Sequence, residues 1–201
     1  MDERLKQQLS FCLEIDKEKS VFRQTSISGG ERKENDAEHA WHMAVMAYLL
    51  REYANEPVDI SRVMLMCLIH DIVEIDAGDT YCYDTDAMLD KKQREDAAKN
   101  RIYALLPDDQ REELTALFEE FEENVTPEAR FAHTIDNLQP VLLNDSNDGA
   151  DWKEHGICED QVLARQMLAK QGSEPLFHVI KSLIERNVRQ GNLKAAGHLK
   201  S

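Results

Sequence analysis

The sequence has no run near the ~20 consecutive apolar residues that a membrane-spanning helix needs. Its N-terminal stretch, MDERLKQQLS, mixes charges and has no apolar signal core. A cytoplasmic location without a membrane partner is the expectation that follows. Basic residues are scarce: 24 Lys and Arg stand against 39 Asp and Glu, a formal net charge of −15. Such a chain repels polyanions, so no nucleic-acid polymer is expected as a partner. A small phosphorylated substrate is still allowed, provided that a metal or an arginine reverses the field inside one pocket. The four cysteines, Cys12, Cys67, Cys82 and Cys158, lie far apart without a C-x-x-C pair. They read as reduced thiols rather than as disulfides or a zinc site. Glycine and proline, 8 and 5 in number, never cluster into a linker. The 201 residues are therefore expected to form a single domain spanning 1–201.

Sustained strand alternation is also missing, whereas apolar positions recur at helical spacing almost throughout. The fold class expected is all-α, a single helical bundle. Leu5, Leu9, Phe11 and Leu13 mark a first helix, followed by an irregular segment in which Gly29 and Gly30 interrupt any regular element. Asn35 or Asp36 caps a second helix through AEHAWHMAVMAYLLREY. A third covers DISRVMLMCLIHDIVEIDA, capped by Asp59 or Ser61 and ended near Gly78. Further helices are expected over 85–106, 108–121 and 127–144, the last with Pro127 in its first turn, and over EDQVLARQMLAK and SEPLFHVIKSLIERNVRQ.

The third helix poses a chemical question, because His70, Asp71, Glu74 and Asp76 crowd an apparently buried segment. Unpaired ionisable groups are costly to bury. A divalent cation bound by His70 and the neighbouring Asp71 would neutralise this charge, with Glu74 near the same groove. Two further helices offer one polar group each on a mostly apolar face: His39 among Met43, Met46 and Leu50, and Asp136 with Ala132, Gln139, Pro140 and Leu143 around it. A single histidine on such a face is more often a core residue than a ligand; four polar groups in ordered succession change the balance. His42, one turn from His39, is an alternative ligand by spacing alone.

The succession His, His-Asp, Asp resembles the HD-domain superfamily of metal-dependent phosphohydrolases. The segments ENDAEHAWHMAVMA, LIHDIVEIDAGD and TIDNLQPVL are similar to the signatures of its 5′-deoxynucleotidase branch, and the likeness covers about residues 5 to 190. That resemblance implies His39, His70, Asp71 and Asp136 as metal ligands, Glu74 and Asp79 as the residues that serve the reaction, and Arg23 as the phosphate ligand, with Arg32 as competitor. It implies hydrolysis of deoxyribonucleoside 5′-monophosphates, and a homodimer. Two nitrogen and two carboxylate ligands suit Mn²⁺, Co²⁺, Fe²⁺ or Zn²⁺ better than Ca²⁺. Rival readings are a nucleoside di- or triphosphate hydrolase, a phosphatase for another small metabolite, and a non-catalytic helical module with a structural metal.

Overall fold

The computed structural model describes residues 2–80 and 90–197. Its helices are α1 (Glu3–Glu14), α2 (Asp36–Leu50), α3 (Ile60–Ile69), α4 (Glu74–Ala77), α5 (Lys91–Tyr103), α6 (Asp108–Glu123), α7 (Pro127–Ser146), α8 (Ala150–His155), α9 (Glu159–Gln166), α10 (Ala169–Gly172) and α11 (Glu174–Gln190). A 3₁₀ segment, Ile15–Ser20, follows α1. The domain is all-α, as expected, apart from one hairpin that the sequence reading missed. Strands β1 (Phe22–Ser26) and β2 (Lys33–Asn35) pair antiparallel, with Phe22 opposite Asn35, Ser26 opposite Lys33 and an irregularity between. Strands this short, with a bulge between the paired positions, carry too little alternation to stand out.

Each site-bearing helix has a physical reason to start where it does. The Asn35 side chain accepts from the Glu38 backbone N–H at 3.0 Å while the Glu38 carboxylate accepts from the Asn35 N–H at 3.2 Å, a complete capping box. This fixes the phase of α2 and turns Asp36, His39, Met43 and Met46 toward the core. The Asp59 side chain caps α3 by accepting from the Ser61 and Arg62 N–H groups. In α7, the Thr126 hydroxyl accepts from Ala129 N–H and Pro127 occupies the first turn. Pro140, inside α7, has no N–H to offer the Asp136 carbonyl four residues back, so the helical ladder is open at the aspartate.

The long third helix expected from the sequence is broken. After Ile69 the hydrogen bonds tighten from i−4 to i−3, with Ile72 N–H to Ile69 O at 3.2 Å and Glu74 N–H to Asp71 O at 2.8 Å. The chain resumes as α4 and stops at Gly78, whose φ of 74° a side chain would disfavour. His70 and Asp71 therefore occupy a tightened turn, not mid-helix positions. The expected helix from Thr85 falls partly on residues outside those described, and its described part is α5.

Helix α7 is the hub, packed against α2, α3, α6, α10 and α11. One buried apolar cluster runs from Phe11 to Leu193 through Met43, Met66, Ile102, Phe131 and Ile180, each large side chain contributing ~1.5–3 kcal/mol by leaving water. At Gly172 in α10, a Cβ would lie 2.1 Å from the Arg130 carbonyl oxygen of α7. That contact is open only to glycine. Among the described residues Cys12, Cys67 and Cys158 are free thiols, while Cys82 lies outside them. No helix of the described residues is long and apolar enough to cross a membrane.

Candidate active site

Helices α2 and α7 and the turn after α3 bring four of the expected residues to one point. His39 Nε2 lies 3.2 Å from Asp136 Oδ1 and 3.9 Å from Asp71 Oδ2. His70 Nε2 lies 3.0 Å from Asp71 Oδ2 and 4.0 Å from Asp136 Oδ1. The two imidazole centroids are 5.5 Å apart. His39 is fully buried, and His70 and Asp71 nearly so.

Ring tautomers decide what this cluster can hold. His70 Nδ1 is 3.0 Å from the Cys67 carbonyl, which can only accept, so Nδ1 carries the hydrogen and Nε2 turns a lone pair toward Asp71 and Asp136. Lone pairs aimed at carboxylate oxygens repel unless a positive charge stands between them. A proton supplies it in part: burial alone would lower the His70 pKa, but Asp71, with Asp136 behind it, lifts it to about 9. Burial works against ionised Asp71 and Asp136 as well, yet the imidazoles hold both below the ordinary range, helped at Asp71 by Arg23. His39, His70 and Asp136 offer ligand atoms within 4.8 Å of one another, a set that can hold a divalent transition metal, and Asp71 adds an oxygen 3.0 Å from His70 Nε2 and 3.9 Å from His39 Nε2.

The other side of Asp71 has a different composition. Arg23, on β1, donates from Nη1 to Asp71 Oδ2 at 2.6 Å and lies 3.4 Å from Asp36 Oδ1, while its buried Nε has no partner. Asp36, Asp71 and Glu74 form a second acidic group whose oxygens lie within 4.8 Å of one another. Here burial and the Asp71 charge push Asp36 up to about 7 against the pull of Arg23. Glu74 is raised well above the carboxylate range by burial and by Asp71 and Asp36. Asp79 is raised mainly by burial, with Arg23 opposing. A cavity of about 620 Å³ is lined by Arg23, His70, Asp71, Glu74, Asp79 and Asp136 together. A smaller one of about 80 Å³ shares Arg23 and Asp79 and reaches the buried Trp152.

All seven expected residues thus border one space except His39, which closes the cluster from behind. The competing candidates separate. Arg32 is spent on a surface pair with Glu38 at 2.6 Å, and His42 engages Gln139 at 3.2 Å instead of the cluster. Asp76, the fourth charge of the segment that begins at His70, is exposed and pairs with Arg101 across to α5. His133 stacks on Phe121 at 4.0 Å and also lines the cavity. Sequence reasoning missed Glu18, Glu34 and Lys91, because charged residues in short polar stretches read as surface. The one usable signal was at Glu34, whose place between Lys33 and Asn35 in a strand puts it alone on the inner face.

Residues 15–175 match the family model described as HD domain. The crystal structure of a predicted metal-dependent phosphohydrolase from Magnetospirillum magnetotacticum MS-1 superposes with a TM-score of 0.92 at 47% identity, covering 96% of each chain. The 5′-deoxynucleotidase HDDC2 of Mus musculus is 34% identical over 112 residues, 56% of this chain and 55% of that protein. The same-named protein of Danio rerio is 31% identical over 159 residues, 79% of this chain and 76% of its own. The chain thus spans little more than half the length of the mouse relative. With the family model covering most of its length, the chain belongs to the HD domain family.

Proposed function

We propose that this chain hydrolyses deoxyribonucleoside 5′-monophosphates to the deoxynucleoside and phosphate. The observation that carries the reading is Arg23: a partly buried guanidinium 2.6 Å from the same Asp71 oxygen that faces both imidazoles. His39, His70, Asp71 and Asp136 hold a divalent ion, one of Mn²⁺, Co²⁺, Fe²⁺ or Zn²⁺. When bound, that ion polarises a phosphoryl oxygen and acidifies a water. The chain's own residues do the rest. Arg23 donates paired hydrogen bonds to the phosphate and offsets the carboxylates that would repel a dianion. Glu74, at the start of α4 and on the cavity wall, orients the attacking water and takes its proton. As the water oxygen bonds to phosphorus, the bond to the 5′ oxygen breaks and that oxygen accepts a proton. Asp79, between the two cavities, faces the nucleoside side of that bond. The 5′-deoxynucleotidase names of the relatives support the substrate class. Phosphate release from a panel of deoxy- and ribonucleoside mono-, di- and triphosphates, run with each of the four ions, tests it. Deoxynucleoside monophosphates should turn over fastest, and faster turnover of a triphosphate or a non-nucleotide ester sinks the assignment.

The partner in this reading is a second copy of the chain. Trp41, Val45, Tyr48 and Leu49 form an exposed apolar stripe along α2, opposite its buried face, with exposed Leu65 and Leu68 on the adjoining α3. Light scattering should return twice the chain mass, falling to one chain in Trp41→Glu/Leu49→Glu.

A further inference from the structure

The two imidazoles of the cluster are held in different ways. His70 donates its Nδ1 hydrogen to the backbone, the Cys67 carbonyl of its own turn. His39 has no such carbonyl: its Nδ1 is buried and makes no hydrogen bond. What faces it is Glu34 of β2, with Oε2 3.6 Å away. Glu34 is 3% exposed, and among the described residues His39 is its only ion-pair neighbour. The other carboxylate oxygen, Oε1, is fixed by the Gln139 side-chain amide at 2.7 Å, and that amide nitrogen also lies 3.2 Å from His42 Nδ1. Glu34 is thus clamped by one oxygen and offers the second, also unpartnered, to His39. Closing the gap to hydrogen-bond length needs a shift of roughly 0.5 Å.

A carboxylate oxygen accepts, so Glu34 attracts an Nδ1–H and repels an Nδ1 lone pair, while Asp136, 3.2 Å from Nε2, makes the same demand of the other nitrogen until a cation stands there. With the hydrogen on Nδ1, Nε2 presents its lone pair to Asp71 and Asp136, the form a metal-binding imidazole requires. We infer that Glu34 is the positioning residue of the metal centre, fixing the tautomer and ring plane of His39 from behind and itself held by Gln139. Outer partners of this kind typically contribute ~10- to 100-fold to metal affinity. The inference rests on His39 being a metal ligand.

The test is titration of chelator-stripped protein with Co²⁺ alone, following the visible absorption that reports ligand number and geometry, alongside melting in chelator. Glu34→Leu should bind Co²⁺ ~10- to 100-fold more weakly, with an altered spectrum and a melting temperature in chelator no lower than wild type. Glu34→Gln, whose amide oxygen can still accept from Nδ1–H once Gln139 turns over, should regain most of the affinity. Wild-type affinity and spectrum in Glu34→Leu overturn the inference, as does an equal loss in both variants that tracks a lowered melting temperature. Should Glu34→Leu fail to fold, Gln139→Leu decides: it leaves the carboxylate but removes its clamp, so a weaker affinity is expected and an unchanged one overturns the role. His39→Ala separates the premise. If it binds as tightly as wild type, the ligand assignment falls and this inference with it; if it loses the ion while Glu34→Leu keeps it, only the role of Glu34 falls.

Discussion

Asp71 divides the site into two halves built from similar residues with opposite electrostatics. On one side two imidazoles face Asp71 and Asp136, and both carboxylates stay ionised despite burial. On the other, Asp36, Glu74 and Asp79 crowd around a single arginine and are pushed toward their neutral forms. Burial is common to both halves, so it is not what separates them. The ratio of cation to carboxylate is. A half with two imidazoles keeps its oxygens charged and open to a metal, whereas a half with one guanidinium for several carboxylates keeps groups that exchange protons.

The largest effect should come from removing the shared wall. Asp71→Ala takes an oxygen from both halves, so bound metal by elemental analysis should be lost and phosphate release should drop to background, as in His39→Ala, His70→Ala and Asp136→Ala. Full occupancy and activity in two of these four would dissolve the division. Next is Arg23→Ala, which should leave metal content and helicity intact while lowering kcat/KM for a monophosphate by roughly 10²- to 10³-fold. Arg23→Lys should recover a part of it, because an ammonium cannot make the paired contact. Arg32→Ala, which breaks only a surface pair, should be near wild type.

Glu74→Gln sharpens the contrast further. It removes one carboxyl from the proton-exchanging half, so metal should stay while turnover falls by ~10²-fold. Wild-type turnover in metal-replete Glu74→Gln rejects the role. The smallest effect concerns stability. Burial, with Asp71 and Asp36 nearby, pushes Glu18 up to about 8, against ~4.3 in the unfolded chain. The folded protein therefore keeps a proton that the unfolded chain releases, and the contribution of Glu18, whole at low pH, is lost as pH rises toward 8. Glu18→Gln cannot lose that proton. Its melting temperature in chelator should match wild type near pH 4 and exceed it above pH 8 by an amount worth about 1 kcal/mol or more; equal curves at both ends would place Glu18 in water.

Much of this arrangement was legible before any coordinates. The His39 and Asp136 helices were readable because a single polar residue interrupted an apolar face, and Asn35 with Glu38 three residues on announced the start of α2. The break at residues 70–73 was not, since a tightened turn and a helix share nearly the same apolar spacing. Glu18 was also hidden. Its 3₁₀ segment packs against α2, α4 and β2, and a local pattern does not carry that information.

The β1–β2 hairpin has a bearing on how such a protein can change. One strand carries Arg23 and the other Glu34, so a single two-stranded ribbon sets the spacing between the phosphate cation and the carboxylate behind His39. The connection over 27–32, exposed from Ser28 onward, carries none of the cluster's residues; Asn147 accepts from its Gly29 N–H and donates to its Ile27 carbonyl, both at 2.9 Å, so a change in length costs those bonds beyond a small closure term. A slip of one residue in the pairing is another matter: it would turn the slipped strand over and so put Arg23 and Glu34 on opposite faces of the ribbon. Variation in loop length and conservation of register are therefore separable, and families built on this ribbon should diverge more in the first while keeping the parity of the second.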